Sequence, residues 1–427
     1  MKAWVVEAGA SRGLGHEGGG IVVSVRRFAG TGLASLAVAL AACTSSTPAT
    51  STTSTLPSTT VPATTAVPAT TLTNPVAISF SDVEHGLLLM QSCRGSSCTS
   101  WVEITADGGD HWQARPAFVT YSTTENPAQN PNRLGVDAVV LASARTGWAY
   151  GPGLFVTHDG GLQFTRVKVS AAVLGVAALG SQVWVLEQRC FVVKQGGNST
   201  DACGRSVLLT GPASGDTLSP VADQPPGFSL APGYEEGTQF PLEIVSVEPN
   251  VAVLAGVFGL DVTTDGGRTW RQASYPCRSP YDSSDWMPGS VALDPGGSLW
   301  LVCAAGPGAG FQRKQLWRSF DGGQSWLGPY QLSSVGYADT LDAVTSTAAW
   351  AYGGRAPIFH STDGGHSWTP ILASRFNSGT GGPRGFSAIG PDDAWVVAPQ
   401  SQSAPLPTEL FRTTDGGRTW VSLQLRS

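Results

Sequence analysis

Helical periodicity is almost missing from this 427-residue chain, and so are charge and long apolar runs. Without apolar residues recurring at i, i+3, i+4 and i+7, a helical bundle or a doubly wound sheet is excluded and an all-β fold is expected. Charged residues make up only 13% of the chain and no basic cluster exists, so no nucleic-acid partner is expected. Beyond residue 42 no apolar stretch is long enough to cross a membrane as a helix. No histidine lies close to the cysteines in sequence, so a zinc-ligand pattern is missing. Neither a metal nor a cofactor is expected.

What the chain does have is one stretch written six times. The copies are 105–112 (TADGGDHW), 157–164 (THDGGLQF), 263–270 (TTDGGRTW), 319–326 (SFDGGQSW), 361–368 (STDGGHSW) and 413–420 (TTDGGRTW). Self-similarity at a period of tens of residues is the signature of a repeat architecture. A short apolar stretch flanks each copy, so each reads as the turn of a β-hairpin. The Asp carboxylate can accept from downstream backbone N–H groups, and Gly-Gly supplies positive φ at low steric cost. The closing Trp112, Trp270, Trp326, Trp368 and Trp420 offer large apolar bodies for packing between sheets.

Spacings between Asp107, Asp159, Asp265, Asp321, Asp363 and Asp415 are 52, 106, 56, 42 and 52 residues. The long interval is twice 53, so one repeat has lost its box; it runs through 183–186 and 206–210 with a degenerate turn at 211–215. A second phrase precedes the boxes, as in 135–150, 339–352 and 385–397, and adds two strands to each repeat. Four strands are the unit of a propeller blade. The prediction is an all-β, single seven-bladed β-propeller over 75–427, with every box on one rim. Blade seven then comes from the C-terminal segment alone, and ring closure rests on packing of blade one against blade seven.

The box pattern [S/T]-x-D-G-G-x-[S/T]-W resembles the Asp-box (BNR) repeat of sialidase-like β-propellers. Sortilin-type heads and photosystem II assembly-factor-like proteins carry similar repeats. Two copies depart from it: 105–112 lacks the second hydroxyl, and 157–164 lacks both that hydroxyl and the Trp. The resemblance implies that the boxes are scaffold turns remote from any ligand site, so their aspartates are read as neither catalytic nor metal-binding.

Ahead of the repeats, Arg26-Arg27 and an apolar run ending Leu40-Ala41-Ala42-Cys43 describe an export signal over 1–42. The ending looks like a bacterial lipobox, which makes Cys43 the lipidated N-terminus. Glu17-Gly18-Gly19 reads as a translated ribosome-binding sequence, placing the expected start near Val22 to Val25 and residues 1–21 outside the protein. Residues 43–74 form the lipidated Cys plus a Thr/Ser/Pro-rich stalk, whose composition cannot offset its ordering entropy. Removing the leader leaves 21 basic against 29 acidic residues, a formal charge of −8. The remaining cysteines, Cys93, Cys98, Cys190, Cys203, Cys277 and Cys303, suit short local disulfides in an oxidising compartment. The chain is expected outside the cytoplasm, held to the outer side of the bacterial cell membrane by a lipid anchor only, as a monomer.

Long insertions fall on one side of the repeats, at 118–133, 222–241, 273–289 and 372–384 between blades and at 188–205, 304–314 and 398–407 within them. Variable loops on a rigid scaffold carry binding, so this loop face is the expected functional face. Its candidate ligand residues are Arg133, Tyr234, Glu235, Tyr281, Trp286, Phe311, Arg355, Phe376 and Arg384; Tyr121 and Phe228 are further aromatics expected outside strands. The leading expectation is a non-catalytic binding or assembly scaffold for an envelope protein or a carbohydrate. The alternative is a sialidase-type exo-glycosidase, which needs an arginine cluster, an Asp acid and a Tyr polarised by Glu. The resemblance places its first arginine in an Arg-Ile-Pro phrase on blade one, and the chain has no such phrase. No catalytic residue is assigned.

Overall fold

The structure is a computed structural model. It describes residues 4–7, 24–27 and 72–425, apart from loop segments 124–133, 180–181, 196–197, 214–216, 222–223, 226–240, 249, 257–258, 278–286, 307–310, 338–339, 354–356, 372–384 and 398–408. Seven antiparallel sheets follow one another along the chain, each a meander in strict sequence order. Their first strands are Leu72–Phe80, Ala138–Leu141, Ala172–Leu179, Pro241–Glu248, Met287–Leu293, Thr340–Ala343 and Gly385–Ala388. The protein is an all-β, seven-bladed β-propeller, as the box spacing predicts, and the repeat without a box forms blade three.

Five details depart from the sequence reading. The first strand begins at Leu72, three residues inside the expected stalk, because Leu72 to Pro75 pair with Cys93 to Met90. Trp4–Glu7 and Ser24–Arg27, inside the expected leader, pair as a separate two-stranded ribbon. Blade one gains a fifth strand, Val119–Ser122, paired to the outer half of Ser97–Thr105, so Tyr121 sits in a strand. The insertion at 188–205 is no loop: the strands Gln182–Gln195 and Asn198–Pro212 carry the hairpin straight on past the blade. Finally, 105–112 compensates for its missing hydroxyl, because His111 Nδ1 meets Asp107 Oδ2 at 2.7 Å.

Each box ties itself together in the same way. In the fourth blade Thr263 Oγ1 donates to Asp265 Oδ1 at 2.9 Å and accepts from Gly267 N at 2.9 Å. Thr269 N and Thr269 Oγ1 donate to the two carboxylate oxygens at 2.9 and 2.6 Å. The side-chain and then the backbone hydrogen bond from Thr269 hold the Asp265 carboxyl down at about 2, and Thr419 does the same for Asp415. Gly108 N donates to Glu84 O, Gly266 N to Asn250 O and Gly364 N to Thr347 O. Box and first turn therefore share one end of every such blade. The second glycine of a box lies against the preceding blade: a Cβ on Gly267 would strike Trp184 at 2.7 Å, and one on Gly109 would strike Leu423 at 2.8 Å. Only glycine fits there, quite apart from its positive φ.

The core is a ring of seam clusters between adjacent blades rather than one central core. Trp148, Trp184, Trp300, Trp350 and Trp395 are fully buried at matching positions of the second strand, where blades one and four place Leu87 and Val253. In blades five to seven the residue opposite that Trp is planar and nitrogen-bearing. Arg318 lies 3.6 Å over Trp300, His360 stacks at 3.9 Å on Trp350, and Arg412 lies 5.2 Å from Trp395. Arg318 is buried against buried Asp294 at 3.3 Å and donates to Gly364 O of the next blade at 3.1 Å. The ring closes between blades seven and one through Phe80 stacked on Trp395 at 3.6 Å, with Trp395 Nε1 donating to Gly108 O at 2.8 Å.

Candidate functional site

The end of the ring opposite the boxes carries the starts of the first strands and the insertions, while the first strands of neighbouring blades are laced together along their length, with Phe80 and Leu141 close to the box-side turns. A backbone N–H of one blade donates to a side-chain oxygen of the blade before it. The pairs are Leu141 to Ser79 at 2.9 Å, Val291 to Glu243 at 3.1 Å, Leu341 to Ser290 at 3.1 Å and Phe80 to Ser387 at 3.0 Å. Ser290 Oγ also bonds Glu243 Oε2 at 3.1 Å, so Glu243 is held by two contacts from blade five. This lacing fixes Glu243 on the innermost strand of its blade without a loop having to place it.

Three acids lie on or just before the first, innermost strands of alternate blades, Asp342 further along its strand than the other two. Asp137 precedes the first strand of blade two, with its N–H bonded to Tyr150 O at 2.9 Å, while Glu243 and Asp342 stand on the first strands of blades four and six. Burial, then the charge of Glu243, push the Asp342 carboxyl up to about 7. Burial, then Asp137 and Glu243, push the Tyr150 phenol above its ordinary value. Glu243 thus acts on groups of blades two and six from across the axis. Such a lining along the axis attracts cationic or hydrogen-bond-donating groups and repels anions.

Of the nine candidates read from sequence, Phe311 is among the described residues; it is 59% exposed and bridges Val335, itself 42% exposed. Beneath it Lys314 is buried, with Nζ donating to Val335 O and Gly336 O at 3.0 and 2.8 Å. Arg133, Tyr234, Glu235, Tyr281, Trp286, Arg355, Phe376 and Arg384 lie outside the described residues. Sequence reasoning missed Asp137, Tyr150, Glu243 and Asp342. A signal existed: Val136-Asp137-Ala138, Leu242-Glu243-Ile244 and Leu341-Asp342-Ala343 each set an acid between apolar residues at or within a first strand. Cys93–Cys98 and Cys277–Cys303 are disulfides. Cys190 and Cys203 are opposed in register in the blade-three hairpin. Among the described residues no cluster of three metal-ligating side chains occurs.

No family model matches the chain. The photosystem II assembly lipoprotein Ycf48 of Synechococcus sp. (strain CC9902) is 27% identical over 280 residues, which is 60% of this chain and 75% of that protein. A solved structure described as YCF48 bound to D1 peptide is 18% identical, covers 78% of this chain and 93% of its own, and superposes with a TM-score of 0.49. A PL25 ulvan lyase is 12% identical, with 83% and 96% covered and a TM-score of 0.49.

Proposed function

We propose that the chain is an exported β-propeller, anchored through Cys43 to the outer side of a bacterial cell membrane, that serves as a non-catalytic binding or assembly scaffold for envelope proteins. The loop face is its contact surface. The observation that carries this reading is a division of polar groups: the box end spends its own on itself, while Asp137, Tyr150 and Glu243 stand toward the loop end beside long insertions, with Asp342 deeper along the axis. Similarity to a protein named as an assembly lipoprotein supports both the scaffold role and the lipid anchor.

The glycosidase alternative draws on one feature, a tyrosine under the influence of a glutamate. Its chemistry runs the wrong way. Tyr150 is pushed above its ordinary pKa, whereas a nucleophilic phenol must be easy to deprotonate. Three acids near the axis also repel a carboxylate-bearing sugar.

The test places a photo-crosslinking phenylalanine analogue at Phe311 on the loop face, or at Phe320 on the box face, where the native side chain is 62% exposed. In intact cells Phe311 should yield discrete protein adducts and Phe320 none. Cys43→Ala should move the protein from the membrane fraction to the soluble one. Adducts from Phe320 alone would defeat the scaffold reading, as would turnover of a fluorogenic glycoside panel that Tyr150→Phe abolishes. Carbohydrate adducts at Phe311 would transfer the partner from protein to glycan.

A further inference from the structure

The point at which the chain enters the ring decides which face an anchored molecule shows to its membrane. Leu72 opens the first strand and pairs with Cys93. The turn at 81–85 stands at the other end of that strand, and Gly108 N donating to Glu84 O puts the blade-one box beside this turn. Leu72 therefore lies at the loop-face end, next to the Cys93–Cys98 disulfide. It also lies on the innermost strand of its blade, near the axis rather than the rim.

Resting on lipid attachment at Cys43, we infer that the tether leaves through the loop face, so the anchored propeller turns that face toward the bilayer and residues 44–71 are the spacer that sets the gap. The partner of the loop face is then a protein segment standing within that gap, on the same membrane. Twenty-eight residues separate Cys43 from Leu72. A chain of that length spans about 30 Å as a coil and about 90 Å fully extended. The nine-residue strand Gly86–Arg94 makes blade one about 30 Å tall along its strands. To expose the loop face outward, the tether would have to run outward from the axis, round the rim and back past that height. Loop-face-inward needs no such detour and so costs less chain entropy.

This geometry can be tested apart from the biology of the anchor. Residues 43–427 are produced unlipidated and the free Cys43 thiol is coupled to a maleimide-headgroup phospholipid in phosphatidylcholine vesicles. Azido-phenylalanine replaces Phe311 or Phe320, and a 5-kDa cyclooctyne-polyethylene glycol reports access to each face. With residues 47–66 deleted, labelling at Phe311 should slow at least fivefold relative to Phe320, and the full-length tether should restore much of it. Uncoupled protein should show no such difference with either tether. Shielding of Phe320 instead, or equal rates at both positions on the shortened tether, would overturn the inference. Whether the native chain carries lipid is read separately, from radiolabelled palmitate incorporation and its loss in Cys43→Ala, so failure of the anchor and failure of the geometry give different results.

Discussion

Replacing Trp395 by alanine should open the ring at one seam before the rest of the fold gives way. The chain itself crosses the other six seams, but between blades seven and one nothing covalent holds. The closing contacts are the stack of Phe80 on Trp395, the bond from Trp395 Nε1 to Gly108 O, the bond from Phe80 N to Ser387 Oγ and the packing of Ile78, Leu88 and Met90 against Val397, Leu410 and Leu423. Trp395 is fully buried, and truncating a buried Trp to Ala costs about 3–5 kcal/mol. Most of that loss falls on contacts made only when the ring is closed. At 1.4 kcal/mol per factor of ten, it should raise the population of the opened seam by about 10²- to 10³-fold. Hydrogen exchange reads this directly: amides of Leu72–Phe80 and Gly385–Ala388 should lose protection by that factor, while those of Leu299–Ala304, across the ring, change far less. Trp350→Ala is the control, since it removes an equally buried Trp at a seam the chain does cross. It should cost a similar amount globally without a selective opening. If both variants lose protection evenly around the ring, closure is not the weak point and the reasoning fails. Trp395→Phe keeps much of the stack but drops the N–H donor, and should cost about 1–3 kcal/mol.

Three further outcomes follow from the same contacts. Asp107, Asp265 and Asp415 have folded pKa values of about 2 against an ordinary 3.8, so their stabilisation is present above about pH 4 and is lost as pH falls toward 2. The melting temperature should drop steeply across that window, and Asp265→Asn should lower it at pH 7 while flattening the drop. Asp342 has the opposite sign: its folded pKa is raised to about 7, so stability should decline as pH rises from about 4 to 7, and Asp342→Asn should stabilise the protein at pH 8 but hardly at pH 4. Cys303→Ser opens a 26-residue separation and should cost about 3.5 kcal/mol on the chain-entropy model, whereas Cys98→Ser opens one of 5 and should cost about 2, both read by denaturant midpoint.

The repeating features of this fold were legible because the backbone demands the same residue types each time. Asp-Gly-Gly is written wherever a hairpin must turn against its neighbour, so six boxes and one doubled interval were enough to count seven blades. Boundaries were less legible, since Leu72 to Asn74 have the composition of the stalk and only their pairing with Ser92 and its neighbours makes them strand. The hairpin of blade three looked like a loop because its Gly-, Ser- and Thr-rich tip has weak strand propensity, while pairing along its whole length decides otherwise. His111 escaped notice as a box residue because an imidazole nitrogen can do what the pattern assigns to a hydroxyl. The acids near the axis were hidden for another reason: sequence shows that Asp137, Glu243 and Asp342 each stand among apolar residues of a first strand or just before one, but only a closed ring puts blades two, four and six across from one another.

The two ends of the ring differ in what their polar groups have left to give. In the fourth, fifth, sixth and seventh blades the box carboxylate accepts a hydroxyl from upstream, a backbone N–H and a hydroxyl from downstream. A carboxylate so engaged is held ionised and has little capacity to coordinate a metal or shuttle a proton near neutral pH. Its role is to fix a turn whose glycine touches the blade before it, which is a scaffold role whatever the ligand. At the loop end the balance is reversed. Glu243 is fixed by Ser290 and Val291, yet it stands close enough to Asp342 and Tyr150 to shift both, so charge there is concentrated rather than consumed. Burying Asp342 within reach of the Glu243 charge lowers stability once it ionises, and a fold that needed only rigidity would have no use for it. A cationic or donor-rich partner reaching into the axis from the loop face relieves that repulsion on binding, so Asp342→Asn should weaken the partner contact even as it raises the melting temperature. A variant that gained stability and kept the Phe311 adducts undiminished would show that the acids serve something other than binding.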